Sequence, residues 1–418
     1  MPRRTLAYAV VAIIAVCLGG GVVSLVQASS PAKQLGPRMK SSVSYKALTF
    51  AHVAGWEEDD HAAAFKAFRK SCERVLMSAR ERTPADKLPP PPAALVAACT
   101  AAGQLPGSPT KAAAKVFFEH NFTPHAVAHG GPQGLLTGYY EPLMTGSRIP
   151  QGLFKTPIYK RPPDLVTLVD ETQRAAPGVV THGRKTEKGV EPYLTRAAIE
   201  QGALAGKHLE LVYLADPVDV FFLQIQGSGR VKLTDGSTIR VHYDGKNGHP
   251  YSSIGRYLIE KGLLAADKVS MGALKNWLRA DPERGRKVMW HNASYVFFRE
   301  LKGAEAKAPM GAMQAQLTPG RSLAVDPGYH ALGLPIFVSA EGMRHINKAG
   351  SFHRLMVAQD VGSAIKGPER GDIYFGSGDA AGRLAGVTKH AGKFIVLQPN
   401  DPPARAEAAP ASAEKARQ

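Results

Sequence analysis

Leu135-Leu-Thr-Gly-Tyr-Tyr-Glu-Pro142 is the point at which this sequence changes character. Upstream of it, apolar residues recur at helical spacing. From it onward they come in short runs bounded by Gly, Pro and Asp-Gly, which is the pattern of strands and tight turns. Strands are predicted over 135–140, 165–169, 211–214, 218–226, 231–233 and 238–243, with Asp235-Gly236 making the last two a hairpin. Helical patterns return at 252–261, closed by Gly262, and at 270–279. Short apolar runs resume at 334–338, 355–358, 372–375 and 394–397. Working back from Leu135, helices are predicted over 60–82 and 93–102, and a third opens at Ser108-Pro109 and runs through Phe117-Phe118. The whole reads as mainly β with peripheral helices, in more than one β domain.

Composition narrows the class without naming it. Of 418 residues, 44% are hydrophobic and 21% charged, which excludes wholesale disorder. The one long apolar run is N-terminal, which excludes a polytopic membrane protein. Residues 1–4 are basic, 5–26 nearly all apolar, and Val26-Gln27-Ala28 offers a small-residue cleavage site. Segment 1–28 is therefore a signal peptide or, since its apolar stretch is long, an uncleaved anchor; either places residue 30 onward outside the cytoplasm. Cys17 follows Val16 rather than a small residue, so no lipobox is read there. Residues 29–46 read as a linker, and the Ala/Pro/charge-rich tail 401–418 as disordered. The net charge of +17 suits acidic or polyanionic surroundings but does not choose among nucleic acid, anionic lipid and a carboxylate-bearing wall.

Three Cys exclude both a disulfide miniprotein and a Cys-based zinc cluster. Cys72 shares a helical stripe with Phe65, Phe68, Val75 and Leu76; Cys99 lies in an Ala-rich run after four consecutive prolines. A bridge between them is worth ~3 kcal/mol in the chain-entropy model. The alternative is two buried free thiols, and an oxidising compartment favours the bridge.

Several constellations could carry chemistry. His120, His125 and His129 have metal-like spacing, but the intervening Thr-Pro breaks a helix, so solvated loop histidines and no metal are expected. Gly227-Ser228-Gly229 and Gly376-Ser377-Gly378 match no nucleophile elbow and read as tight turns where backbone approaches a ligand or another strand. The stretch 376–382 is spaced wrongly for a dinucleotide loop and lacks a βαβ frame. Asp326, Asp360 and Asp372 each lie beside an apolar run and glycines. Carboxylates there are costly unless paired, hydrogen-bonded or functional, and one kept protonated by burial could give a proton to a leaving oxygen; turn and strand-capping aspartates are the alternative. If 218–226 is a strand, Gln224 and Gln226 share a face opposite Phe221, Leu223 and Ile225. Amides and hydroxyls beside Tyr139 and Tyr140 suit a sugar site, although a polar strand face is also simply a solvated one.

At these residues the sequence resembles the membrane-bound lytic transglycosylase A family, glycoside hydrolase family 102. The matching segments are 135–142, Asp219-Val-Phe-Phe-Leu-Gln-Ile-Gln-Gly-Ser-Gly-Arg230, 245–255, Asn292-Ala-Ser-Tyr-Val-Phe-Phe298, Gly320-Arg-Ser-Leu-Ala-Val-Asp326, 359–367 and Asp372-Ile-Tyr-Phe-Gly376. They span roughly 115–397 in the family's order. The resemblance implies a double-psi β-barrel interrupted by a second β domain, with a glycan groove between. On that basis 29–140 holds the linker, the helices and the first part of the barrel, 141–305 the inserted domain, and 306–400 the three-aspartate "3D" domain. It implies Asp372 as catalytic acid, Asp326 and Asp360 as supporting carboxylates, and Thr137, Gly138, Tyr139, Glu141, Gln224, Gln226 and Ser228 as substrate-binding residues. The missing lipobox and the spacing of Pro368 to Gly371 depart from the family pattern.

The implied activity is that of a lyase: a peptidoglycan lytic exotransglycosylase cleaving the MurNAc-β-1,4-GlcNAc bond with 1,6-anhydroMurNAc as product, and with no cofactor. One strong carboxyl suffices because the muramyl C6 hydroxyl can attack in place of water, whereas an ordinary glycosidase needs two carboxyls. The rivals are a two-carboxylate glycan hydrolase and a non-catalytic wall-binding protein. Peptidoglycan strands are the expected partner, with membrane association through the N-terminus and no nucleic acid, for a monomer in the periplasm, secreted or membrane-anchored; the resemblance adds the outer membrane.

Overall fold

The computed structural model describes residues 43–81, 91–169, 181–303 and 305–401. The expected signal or anchor, Cys17, most of the linker and the tail beyond Asp401 lie outside the described residues. The first helix, His61–Arg80, starts where Asp60 accepts the Ala63 amide, and buries Phe65, Phe68, Cys72 and Val75 along one stripe. Ala93–Gln104 packs beside it, and Cys72 and Cys99 are bridged, their Cα atoms 5.0 Å apart. The third helix, Lys111–Asn121, begins later than its sequence suggests. Thr110 rather than Ser108 takes the capping role, its hydroxyl accepting the Ala113 amide.

These helices cover an eight-stranded sheet in the order Ser44–Ala47, Phe122–Ala128, Lys389–Pro399, Pro335–Ala340, Phe352–Val361, Ser322–Val325, Arg370–Ser377, Leu135–Glu141. Lys389–Pro399 also pairs with Leu135–Glu141, which closes the last six of these strands into a ring. The main core lies between ring and helices and includes Phe68, Phe118, Phe337, Val357 and Ile373. A buried, two-pronged ion pair between Arg321 and Asp59 (2.8 and 2.9 Å) fastens the helical segment to the ring, and Asp59 also accepts the Leu355 amide.

Strands between Leu143 and Leu301 form their own sheets. Six are ordered Val296–Leu301, Thr238–Lys246, Ser228–Leu233, Leu143–Ser147, Glu210–Leu214, Thr156–Tyr159; a smaller sheet holds Leu165–Thr167, His182–Thr186 and Gly189–Glu191. Their core gathers Val212, Leu214, Leu223, Val231, Val241 and Phe298. The predicted hairpin, the helix Ile254–Glu260 with Gly262 at positive φ, and Met271–Ala280 capped by Ser270 all form.

One expected strand is a helix. Pro217–Gln226 is α-helical because its ends are written for it: Asp216 caps the Val218 amide, Pro217 occupies the first turn, and Gly227 closes the helix at φ 76°. Its apolar residues are buried nearly all round, which hides the helical period and lets an alternating pattern be read instead. Gln224 and Gln226 therefore do not share a strand face. Two helices of 9 residues each, Pro282–Trp290 and Asp379–Val387, and the short helical stretch from Arg196 to Ala203 left no expectation in the sequence.

Candidate active site

The site is built from one row of the ring. Ser322–Val325 runs between two aspartate-bearing strands, and Ala324 is in register with Asp360 on one side and Asp372 on the other. Asp372 is in turn in register with Thr137. In-register neighbours point to the same face, so Asp360, Ala324, Asp372 and Thr137 form a line across four strands. The alanine between the two carboxylates keeps the floor open.

That floor lies under a groove made of two adjoining chambers. The chamber of about 310 Å³ is lined by Thr137, Ala324, Asp360, Arg370 and Asp372 from the ring and by Gln224 from the inserted segment. The other, of about 550 Å³, shares Tyr139, Gln224 and Asp360 and extends past Ser228 and His242. Of the expected substrate-binding residues, Thr137, Gly138, Tyr139, Gln224, Gln226 and Ser228 border these chambers.

Asp372 is half-buried. The Thr137 hydroxyl donates to its Oδ1 at 2.6 Å, and Arg370 Nη2 donates to that same hydroxyl at 2.9 Å. Among the described residues, nothing hydrogen-bonds to the second oxygen. Burial pushes its carboxyl up to about 6, with Asp360 adding to the rise, while Arg370 and the Thr137 hydroxyl oppose it. Asp360 is likewise raised to about 6 by burial. Its oxygens, however, are occupied: Oδ1 accepts the amides of Ala312 and Val361, and Oδ2 accepts the Tyr139 hydroxyl at 2.9 Å.

Two expectations need correction. Glu141 does not face the groove. It is fully buried, accepts Arg240 through both oxygens (2.5 and 3.2 Å) and Ser377 at 2.6 Å, and so clamps the inserted sheet to the ring. A motif residue next to the site is here part of an internal ion pair, and burial makes the loss of either partner costly. His129 is not solvated: its ring meets Glu369 at 2.9 Å, and Glu369 also accepts the Phe394 amide. That clasp orders the 368–371 stretch ahead of Asp372. His120 ends a helix and His125 lies on Phe122–Ala128, so the three histidines are placed on separate elements.

Asp326 is separate from the other two aspartates. It is fully buried, borders neither chamber, and accepts the amides of Gly328 and Gly367 at 3.1 and 2.9 Å. It holds the loops that frame the site. Gly229 serves close approach as expected, a Cβ there falling 2.5 Å from Leu223, whereas Gly227 has open space around it and serves as the left-handed cap of the preceding helix. Gly376-Ser377-Gly378 joins the Asp372 strand to the helix Asp379–Val387, and Gly378 donates to the Glu141 carbonyl. Arg370, Ala324 and His242 were not anticipated. Ala324 is marked only by its pairing with Asp360 and Asp372, which is absent from a single sequence, whereas Arg370 stands two residues before Asp372 on one strand and shares its face by the strand's period.

A ring interrupted by a separate β unit, with a raised carboxyl under the groove between chain segments of both, defines the class: proteins with an MltA-specific insert ahead of a 3D domain. Family models agree, the MltA specific insert domain matching residues 135–299 and the 3D domain residues 321–398. The chain is 34% identical over 283 residues to the membrane-bound lytic murein transglycosylase A of Vibrio cholerae, covering 66% of this chain and 69% of that one. To its Escherichia coli K12 namesake it is 35% identical over 270 residues, 63% and 65% of the two chains. Among solved structures, a membrane-bound lytic murein transglycosylase from Agrobacterium tumefaciens aligns with TM-score 0.75 at 35% identity, over 85% of this chain and 98% of that one. E. coli MltA with bound chitohexaose aligns with TM-score 0.58 at 25% identity, over 86% and 92%. The chain belongs to the membrane-bound lytic murein transglycosylase A family.

Proposed function

We propose that this protein is a peptidoglycan lytic transglycosylase whose acid and base are the same side chain, Asp372. The observation that carries the reading is the unequal state of the groove carboxyls. Asp372 is raised to about 6, lines the groove and has one oxygen without a hydrogen-bond partner among the described residues, whereas both oxygens of Asp360 are engaged within the protein. Asp244 lines the wider chamber but not the one that holds Asp372. A single available carboxyl suits a reaction in which the substrate brings its own nucleophile.

Protonated Asp372 gives its proton to the glycosidic oxygen between MurNAc and GlcNAc as the C1–O bond breaks. The resulting carboxylate takes the proton of the MurNAc C6 hydroxyl, whose oxygen closes on C1 to give the 1,6-anhydro sugar. Asp372 ends protonated as it began, and no water is consumed. The tethered hydroxyl reacts with the advantage of proximity. Because the acid form starts the cycle, turnover declines as pH rises through about 6.

The same reading takes the six-strand ring as a double-psi barrel formed from 29–140 and 306–400, with 141–305 inserted, and places the monomeric protein in the cell envelope. The relatives' names, which say membrane-bound, support the last point. The test is mass spectrometry of muropeptides released from purified sacculi. Anhydro-terminated products are expected from the native protein and none from Asp372→Asn. Reducing ends instead would replace the reading with that of a hydrolase.

A further inference from the structure

Two side chains border the wider chamber with hydrogen bonds unmade. His242 is 7% exposed and Gln224 5%, and both line the 550 Å³ space. Among the described residues, Nδ1 of His242 and both amide atoms of Gln224 are buried with no hydrogen-bond partner. The Tyr295 hydroxyl lies beside the Gln224 amide but outside hydrogen-bonding geometry. A buried polar group left unpaired costs about 1–3 kcal/mol. Two of them on one chamber wall leave a deficit that a ligand or solvent in that chamber removes.

The strand Thr238–Lys246 explains the aim of the imidazole. Ile239 and Val241 enter the core of the inserted sheet, so Arg240 and His242 take the opposite face. Arg240 is spent on Glu141 and on the Ala306 carbonyl. His242, next along that face, has nothing equivalent. Burial and the nearby Arg299 hold its ring down to about 4, so it is neutral and carries one donor and one acceptor.

We propose that His242, with Gln224, recognises the acetamido group of an N-acetylhexosamine in this chamber, so that the enzyme selects N-acetylated over de-N-acetylated glycan. The proposal rests on the glycan reading above. An acetamido group presents a carbonyl and an N–H side by side, which a primary amide and a neutral imidazole complement. A glucosamine unit lacks the carbonyl and leaves donors unpaired again. Charge does not decide the matter, because Lys246 and Arg299 line the chamber together with Asp244, and an ammonium there meets both signs.

The experiment is calorimetric binding of chitohexaose and of its fully de-N-acetylated counterpart to the Asp372→Asn protein. Chitohexaose is expected to bind at least about tenfold tighter, the worth of roughly one buried hydrogen bond. His242→Phe lowers chitohexaose affinity about tenfold and loses most of that preference, while His242→Gln, which keeps a donor and an acceptor, retains it. Equal affinity of the Asp372→Asn protein for the two oligomers overturns the proposal, whatever the folding of the His242 variants. So does a His242→Phe variant that melts normally and keeps the preference. If the Asp372→Asn protein binds neither oligomer, the glycan reading fails first and takes this one with it.

Discussion

Thr137 distinguishes the two oxygens of Asp372. Its hydroxyl accepts from Arg370 and so turns its only proton toward Oδ1 of Asp372. With Oδ1 accepting that proton, the acid proton of Asp372 favours the other oxygen, which has no hydrogen-bond partner among the described residues. The same bond stabilises the ionised carboxyl and tempers the rise caused by burial. Thr137→Val is expected to move the upper limb of the pH–rate profile upward by about one unit and to lower turnover about tenfold. Thr137→Ser, keeping the hydroxyl, returns both toward native. A Val variant with an unmoved profile would remove Thr137 from the acid's support. Residue types of this kind were legible beforehand: Asp372, Thr137, Tyr139 and Gln224 all border the groove. Glu141 was misread because a motif position does not say whether a side chain faces the groove or the interior, and here Arg240, 99 residues away, claims it.

Elements were legible where their periodicity was one-sided or their ends were marked. His61–Arg80 shows a buried stripe and an Asp cap, and the Asp235-Gly236 turn announces its hairpin. Pro217–Gln226 fails on the first signal and succeeds on the second; its caps identify a helix that its burial disguises. The helix pair at the N-terminus carries a prediction of its own. Cys72 and Cys99 are 4% and 1% exposed and 27 residues apart, so Cys99→Ala is expected to cost about 3 kcal/mol. The check is thermal melting with and without reductant: reductant lowers the native midpoint toward that of the variant and leaves the variant unchanged. Identical midpoints would mean that packing of Phe65, Phe68 and Phe117 alone holds the pair.

For the whole molecule, the groove carboxyls tie function to stability. A carboxyl raised from 3.8 to about 6 holds its proton more tightly folded than unfolded. Its contribution to folding is complete below pH 3.8 and is lost as pH rises through about 6, a difference of up to about 3 kcal/mol. Asparagine at 372 cannot ionise. Asp372→Asn is therefore expected to match the native protein at pH 4 and to exceed its stability at pH 7.5, measured by denaturant unfolding; a variant less stable at both would show that burial of Asp372 is not what raises it.

The sequence by itself determined the succession of elements and the chemical kinds of residue available, because caps, turns and hydrophobic periods act over a few neighbours. It also determined the family, through motif segments long enough to be distinctive. Only the tertiary structure decided how the three carboxyls differ. Asp326, Asp360 and Asp372 are alike in their local settings and differ in what distant strands bring to them: loop amides for the first, Ala312 and Tyr139 for the second, and for the third a single hydroxyl and an open groove. Burial and hydrogen-bond supply set a carboxyl's proton affinity, and both are properties of packing between residues far apart in the chain.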